Sequence, residues 1–311
     1  MSTTKVIVDT DPGNDDLLAI VMALNTTQLD LLGLTVVGGN ATLKDTTNNA
    51  LSILTYMDRT EIPVYVGDPS ALNQKFTTPK EVDEFNSHRS RIHGASGLHI
   101  NLPEPSFPAE EDHAVDFIIQ QAKANKGQLV LVPIGPLTNI ALAIKKEPNL
   151  KSWVKSIHVM GGAVNVPGNV TSFAEFNIYC DPVAANDVFS SGMDIKLCGL
   201  DITQHTSVKK IETDWLKGNS TGEILIRELM ENIYKNDPSR EFFSLHDPIT
   251  ILSVIHPEMI QWKKSTIDVS TDTIEFGRTI DTNNPKGSVH IATKIDREGA
   301  KTRIAQIIAG H

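Results

Sequence analysis

Short apolar runs that end in small or acidic residues alternate, from Lys5 onward, with stretches of helical periodicity, and this alternation constrains the fold more than any other feature. Lys5 to Val8 reads as a strand and Asp15 to Leu24 as the helix after it. Leu31 to Val37 is a second strand ending at Gly38-Gly39-Asn40, Asn48 to Met57 is helical, and Ile62 to Val66 is a further short strand. Gln128 to Pro133, the turn at Gly135-Pro136 and Leu137 to Lys146 repeat the order of strand, turn and helix. Ser156 to Met160 runs into Gly161-Gly162, and Asp194 to Leu200 runs into Asp201. The expected fold is α/β: an open, mostly parallel, Rossmann-like sheet flanked by helices, with active-site loops at the C-terminal strand ends, the rim where such sheets bind ligands.

Two segments depart from the alternation. Asn73 to Asp112 is polar, contains proline and lacks clear periodicity, so it is expected to form loops with at most a short helix, a length often used for a lid. Thr213 to Lys235 carries Ile224, Leu225, Leu229 and Ile233 at helical spacing and is expected to be a packed amphipathic helix.

At 311 residues with 40% hydrophobic content, the chain can bury one large core, and a single domain over residues 1–311 is expected. The longest apolar run, Leu17 to Leu24, falls well short of the ~20 residues a bilayer requires. Met1 to Lys5 is polar and Val6 to Val8 is too short for an apolar targeting core, so a cytoplasmic location is expected. Cys180 and Cys198 have no metal-type spacing and read as reduced thiols. A net charge of -10 argues against nucleic acid or an anionic membrane as partner and suits a neutral substrate or a cation.

Asp9, Asp11, Asp15 and Asp16 follow the first strand closely, with Pro12-Gly13 forcing a turn between them. Two such charges ~4 Å apart repel by roughly 4 kcal/mol at an effective dielectric near 20, so a buried cluster must take up protons or a cation. Oxygen donors without Cys or His favour calcium or magnesium. Asp15 and Asp16 alone are also explained as first-turn residues stabilised by the helix dipole, but Asp9 and Asp11 are not. An EF-hand loop counted from Asp9 needs Gly and Glu where Asn14 and Ile20 stand, which excludes it. A haloacid-dehalogenase-like phosphatase would use Asp9 as nucleophile and Asp11 as acid, although Pro12 replaces the usual continuation.

The string from Asp9 to Asp16 resembles the fingerprint of the nucleoside hydrolases, the inosine-uridine-preferring ribohydrolases. Further motifs follow in the order of that family: Val36-Val37-Gly38-Gly39-Asn40, His93-Gly94 with Gly97-Leu98, Val132-Pro133 with Gly135 and Leu137-Thr138-Asn139, Met160-Gly161-Gly162, Asn169 with Ala174-Glu175-Phe176-Asn177, and His246-Asp247-Pro248. The resemblance implies calcium-dependent hydrolysis of ribonucleosides to base and ribose by a homodimer or homotetramer. It implies Asp11, Asp16, Asp247 and the Ile134 carbonyl as calcium ligands, although relatives often carry Thr at that last place. It places Asp15 and Asn40 at the ribose 2′ side, Asn169, Glu175 and Asn177 at the 3′ and 5′ hydroxyls, and Met160 under the sugar. It sets His246 beside the departing base and brings a loop carrying His93 near it, with Ala95 where relatives are often acidic.

These residue types suit the chemistry. An oxocarbenium-like transition state calls for negative charge near the sugar and a positioned water. A metal ion would bind the ribose hydroxyls and make that water more acidic for deprotonation by Asp11, and an imidazole at His246 suits assistance to the base at neutral pH. A non-catalytic, calcium-dependent nucleoside-binding protein is the other possibility.

Structural explanations stand beside several of these roles. Gly38-Gly39 suits a strand-ending turn, Asn40 and Asn139 helix caps, and Met160 a core position. Glu175 and Asn177 taken alone suit a surface, and His88, Arg89 and Arg91 a solvated basic patch. Tyr234 suits either core packing or stacking on the base.

Overall fold

The computed structural model describes residues 3–69, 94, 96–212 and 215–311. His93, His88, Arg89, Arg91 and most of the segment expected to form a lid lie outside these residues.

The strands are β1 (Thr4–Thr10), β2 (Leu29–Val36), β3 (Val64–Val66), β4 (Leu129–Pro133), β5 (Val154–Met160), β6 (Ile195–Cys198), β7 (Ser207–Lys209), β8 (Phe242–Ser244), β9 (Ile260–Ser265), β10 (Ile267–Val269), β11 (Thr279–Asp281) and β12 (Val289–Ile295). Eight of them form one sheet in the order β3-β2-β1-β4-β5-β6-β12-β9, parallel throughout except for the antiparallel edge pair β12 and β9. Two-stranded pieces, β10 with β11 and β7 with β8, lie outside it. The expected mostly parallel α/β sheet is therefore present. The antiparallel edge is an addition, because Gln261, Lys263 and Lys264 break the apolar pattern by which buried strands are recognised.

The described helices are α1 (Asn14–Asn25), α2 (Leu43–Tyr56), α3 (Ala114–Ala124), α4 (Thr138–Lys146), α5 (Leu150–Trp153), α6 (Phe176–Cys180), α7 (Pro182–Phe189), α8 (Leu200–Thr203), α9 (Thr221–Asn236), α10 (His246–Ile255) and α11 (Arg297–Ile308). Helix α1 is buried on every side from Leu17 to Leu24, which is why its sequence reads as a continuous apolar run rather than a stripe. It packs beside α10, so the N-termini of these two helices lie together. Helix α9 starts at Thr221, capped by Ser220 with Glu223 in a reciprocal capping box, eight residues later than its periodicity suggests. Leu225, Ile226, Leu229 and Ile233 form its buried face, whereas Ile224, expected on that face, is 41% exposed.

Between β1 and β4 the chain reverses its direction of travel across the sheet. From β1 it moves outward to β2 and β3, then returns to add β4 on the other side. Asp9 pairs with Pro133 at the C-terminal ends of these strands. The loops beyond them diverge there, which leaves a crevice for a ligand. Among the described residues, no helix is long and apolar enough to cross a membrane.

Candidate active site

Strand β1 and helix α1 deliver four aspartates to this crevice, but not to equivalent places. Asp9 is fully buried, with Oδ1 accepting from the Thr35 hydroxyl at 2.6 Å and the Asn139 amide at 2.8 Å. Burial raises its pKa to about 7. Of the four aspartates only Asp15 lines the cavity, and Asp9, Asp11 and Asp16 do not.

Asp11 lies beyond the strand end, with Oδ2 accepting from the Asn40 backbone N–H at 2.7 Å and Oδ1 buried without a hydrogen-bond partner. Gly39 and Gly135 make room for this carboxylate. A Cβ on Gly39 would sit 2.1 Å from Asp11 Oδ2, and one on Gly135 would sit 2.6 Å from Oδ1, both inside contact distance. These glycines are required by close approach, not by backbone conformation.

Asp16 accepts from the Thr10 hydroxyl at 2.6 Å, from Gly13 N–H at 2.9 Å and from the Asn40 amide at 2.9 Å. The N-termini of α1 and α10 bring Asp15, Asp16 and Asp247 together, with ligand oxygens all within 4.8 Å of one another. Burial raises the pKa of Asp15 and of Asp16 to about 6, with the Asp15 charge adding to the rise at Asp16. Burial and then Asp15, Asp16 and Asp11 raise that of Asp247 further. Like charges in so small a space need protons or a cation, and two helix N-termini offset only part of the repulsion. An all-oxygen donor set and the orphaned Asp11 Oδ1 fit a hard divalent cation.

The cavity above this cluster has a volume of about 140 Å³. Asp15, Asn40, Ile134, Met160, Asn169, Glu175, Asn177, His246 and Asp247 all line it, joined by Asn14, Val170, Phe176, Arg240, Phe243 and Ser244. Glu175 caps α6, accepting from Asn177 N–H at 2.9 Å, Ile178 N–H at 3.2 Å and Gly162 N–H at 2.9 Å. Burial still raises its pKa to about 7. The Asn177 amide donates to the Ile134 carbonyl at 2.9 Å and the Met160 carbonyl at 3.2 Å, tying together the ends of β4 and β5. One lone pair of the Ile134 carbonyl remains available. Asn169, an exposed residue, accepts from Phe176 N–H at 3.0 Å. His246 is half-buried with Nδ1 2.8 Å from the Thr203 hydroxyl, and burial followed by the Arg240 charge lowers its pKa to about 4. The ring is therefore neutral at pH 7.

Two expectations change. Tyr234 is absent from this cavity and lines a separate one of about 400 Å³ with Trp215 and Met230, its ring 5.4 Å from Lys210 Nζ. Tyr234 packs against the main core, one of its two expected places, and does not line the carboxylate cavity where stacking on the base was the other. Asn139 is no helix cap, since Leu137 holds that place and the Asn139 amide bonds Asp9 and the Val36 carbonyl.

Sequence reasoning missed Arg240, Asn14, Phe243 and Ser244. Arg240 follows the turn signal Asp237-Pro238-Ser239, where an isolated basic residue ordinarily reads as surface. The available signals were the adjacency of Phe243 and Ser244 to His246-Asp247 and the place of Asn14 inside the Asp9 to Asp16 string.

Known proteins share the sequence and the fold. Uridine nucleosidase 1 of Arabidopsis thaliana is 38% identical over 284 residues, 89% of this chain and 81% of that protein. A pyrimidine-specific ribonucleoside hydrolase of Shewanella baltica is 37% identical over 286 residues, 89% of this chain and 86% of that protein. Among solved structures, a plant nucleoside hydrolase superposes with a TM-score of 0.89 at 30% identity over 99% of both chains. A purine-preferring ribonucleoside hydrolase from Gardnerella vaginalis superposes with a TM-score of 0.87 at 32% identity, covering 98% of this chain and 99% of that one. With residues 6–302 matching the profile of the inosine-uridine preferring nucleoside hydrolases, the chain belongs to that family of glycosidases acting on the N-glycosyl bonds of ribonucleosides.

Proposed function

We propose that the chain hydrolyses ribonucleosides in this cavity with the aid of calcium, releasing free base and ribose. The convergence of Asp15, Asp16 and Asp247 beside the unpartnered Asp11 Oδ1 carries this reading. Asp11, Asp16, Asp247 and the Ile134 carbonyl would hold the ion. Once bound, it would supply positive charge to the sugar hydroxyls and acidify a water.

The chain's own residues do the rest. Asp11 accepts the proton of the attacking water. Asp15 and the Asn40 side-chain oxygen take hydrogen bonds from the 2′ side of the ribose. Asn169, Glu175 and Asn177 hold the 3′ and 5′ hydroxyls, and Met160 packs under the ring. The carboxylates of this wall favour the positive charge that develops on the sugar as the glycosidic bond lengthens. His246, neutral and oriented through Thr203, donates a hydrogen bond to the departing base. His93 is assigned to the loop that approaches the base, outside the described residues. The assembly is a homodimer or homotetramer, to be read by light scattering.

The named preferences of the relatives differ between pyrimidine and purine. Turnover of inosine, adenosine, uridine and cytidine with calcium, for wild type and His246→Ala, tests the reading. Release of base from at least one nucleoside, slowed by roughly 10²-fold or more in the variant, is expected. Equal rates for both proteins would remove His246 from the mechanism, and no release from any of the four would remove the function.

A further inference from the structure

We propose that Arg240 stabilises the departing base alongside His246, its guanidinium taking up the negative charge that develops on the base as the glycosidic bond breaks. The inference rests on ribonucleoside hydrolysis in this cavity and extends it to a residue outside the family motifs.

The charges that line the cavity are unequal in number. Asp15, Glu175 and Asp247 supply carboxylates, and Arg240 is the one Lys or Arg among the lining residues. Its Nε donates to the Phe242 carbonyl at 3.1 Å, which fixes the plane of the guanidinium. No carboxylate among the described residues forms an ion pair with it. Arginine stays protonated at any physiological pH, and such a fork is suited to planar, electron-rich groups. A half-buried cation that forms no direct ion pair among the described residues, in a cavity whose other charged lining groups are mostly carboxylates, is matched to an anion that appears only during the reaction.

The reaction produces such an anion. The bond between C1′ and the base nitrogen breaks, and its electron pair leaves with the base. The water oxygen bonds C1′, its proton passes to Asp11, and the base anion later takes a proton from solvent. The carboxylate wall suits the sugar, which becomes positive. Arg240 lies on the segment that also carries Phe243, Ser244 and His246, and suits the base, which becomes negative.

A structural role for Arg240, balancing the aspartates at a distance, predicts a different pattern of rates, and leaving-group chemistry separates the two. Fluorine at C5 of uridine, or at C2 of adenosine, makes the base a better leaving group with almost no change of shape. kcat/KM is measured with calcium for wild type, Arg240→Met and Arg240→Lys, on uridine with 5-fluorouridine and on adenosine with 2-fluoroadenosine. For whichever pair the wild type cleaves, Arg240→Met is expected to lose roughly 100-fold on the parent nucleoside and at least about fivefold less on the fluorinated one. Arg240→Lys, which keeps the charge but not the fork, is expected to lose less, with the same asymmetry. Equal losses on both members of a pair, or no loss on the parent, would overturn the proposal. If Arg240→Met fails to fold by circular dichroism, Arg240→Lys decides it by the same asymmetry. Absence of base release by wild type from all four substrates would instead overturn the hydrolase reading beneath it.

Discussion

At the scale of single residues, the site depends on how little space surrounds Asp11. Gly39 and Gly135 touch its two carboxylate oxygens so closely that any Cβ would displace them. Gly39→Ala is expected to lower kcat/KM by about 100-fold or more by moving Asp11, the proposed proton acceptor, a shift of the kind to which positioned groups are most sensitive. A variant with wild-type kcat/KM would show that the position of Asp11 is unimportant. Much of this was legible in the sequence, because acidic residues after a strand and a Gly-Gly-Asn after the next announce a crowded, polar strand end. Asp9 was legible only as a member of the acidic cluster and is held by Thr35 and Asn139. Arg240 was not, since nothing in a local window distinguishes a lone arginine that faces a cavity from one that faces water.

At the scale of elements, two helix N-termini side by side explain how Asp15 and Asp16 meet Asp247 from the far end of the chain. Sequence separation hides that meeting from any local pattern, so the family resemblance alone anticipated Asp16 with Asp247, and the packing of α1 on α10 produces it. Helix α10 is fixed in turn by His158 on β5, whose Nδ1 lies 2.7 Å from the Ser253 hydroxyl. His158 is 7% exposed, and burial, aided by Lys196 and Lys155, lowers its pKa to about 3. The denatured chain binds a proton below about pH 6.5, where the folded chain does not. The contribution of this residue is therefore intact above pH 6.5 and is lost progressively as the pH falls towards 3. Chemical denaturation of His158→Gln and wild type at pH 6.5 and 5 should show the wild type losing about 2 kcal/mol more over that interval. Parallel losses would mean that His158 is not held neutral. On α9, Ser220→Ala removes the capping hydroxyl and should lower stability by about 1 kcal/mol, with kcat unchanged, since the helix directs no side chain into the carboxylate cavity. The start of α9 was misread because periodicity marks the apolar face and the capping box marks the boundary.

At the scale of the whole molecule, the parallel sheet was readable because its strands are short apolar runs with helices between them, whereas the antiparallel edge strand β9 was hidden by its charged residues. We expect residues 1–311 to unfold in one cooperative step, and two resolved transitions in calorimetry would divide the chain. The carboxylates at the switch point work against that stability at neutral pH. With folded-state pKa values raised to about 6, Asp15 and Asp16 bind more protons folded than unfolded, so their contribution is full below about pH 4 and is lost as the pH rises through 6. A cation restores it. Calcium at roughly 100 times its dissociation constant should raise Tm by about 5 °C at pH 8 and by less at pH 5, where protons compete. An equal shift at both values would place calcium elsewhere. The central claim is hydrolysis itself, and the stoichiometry of products reads it most directly. Chromatography of a ribonucleoside incubated with the protein and calcium, without phosphate, should show base and free ribose appearing in equal amounts, and a chelator should abolish both. Nucleoside that binds but stays intact, or base released only when phosphate is supplied, would contradict it.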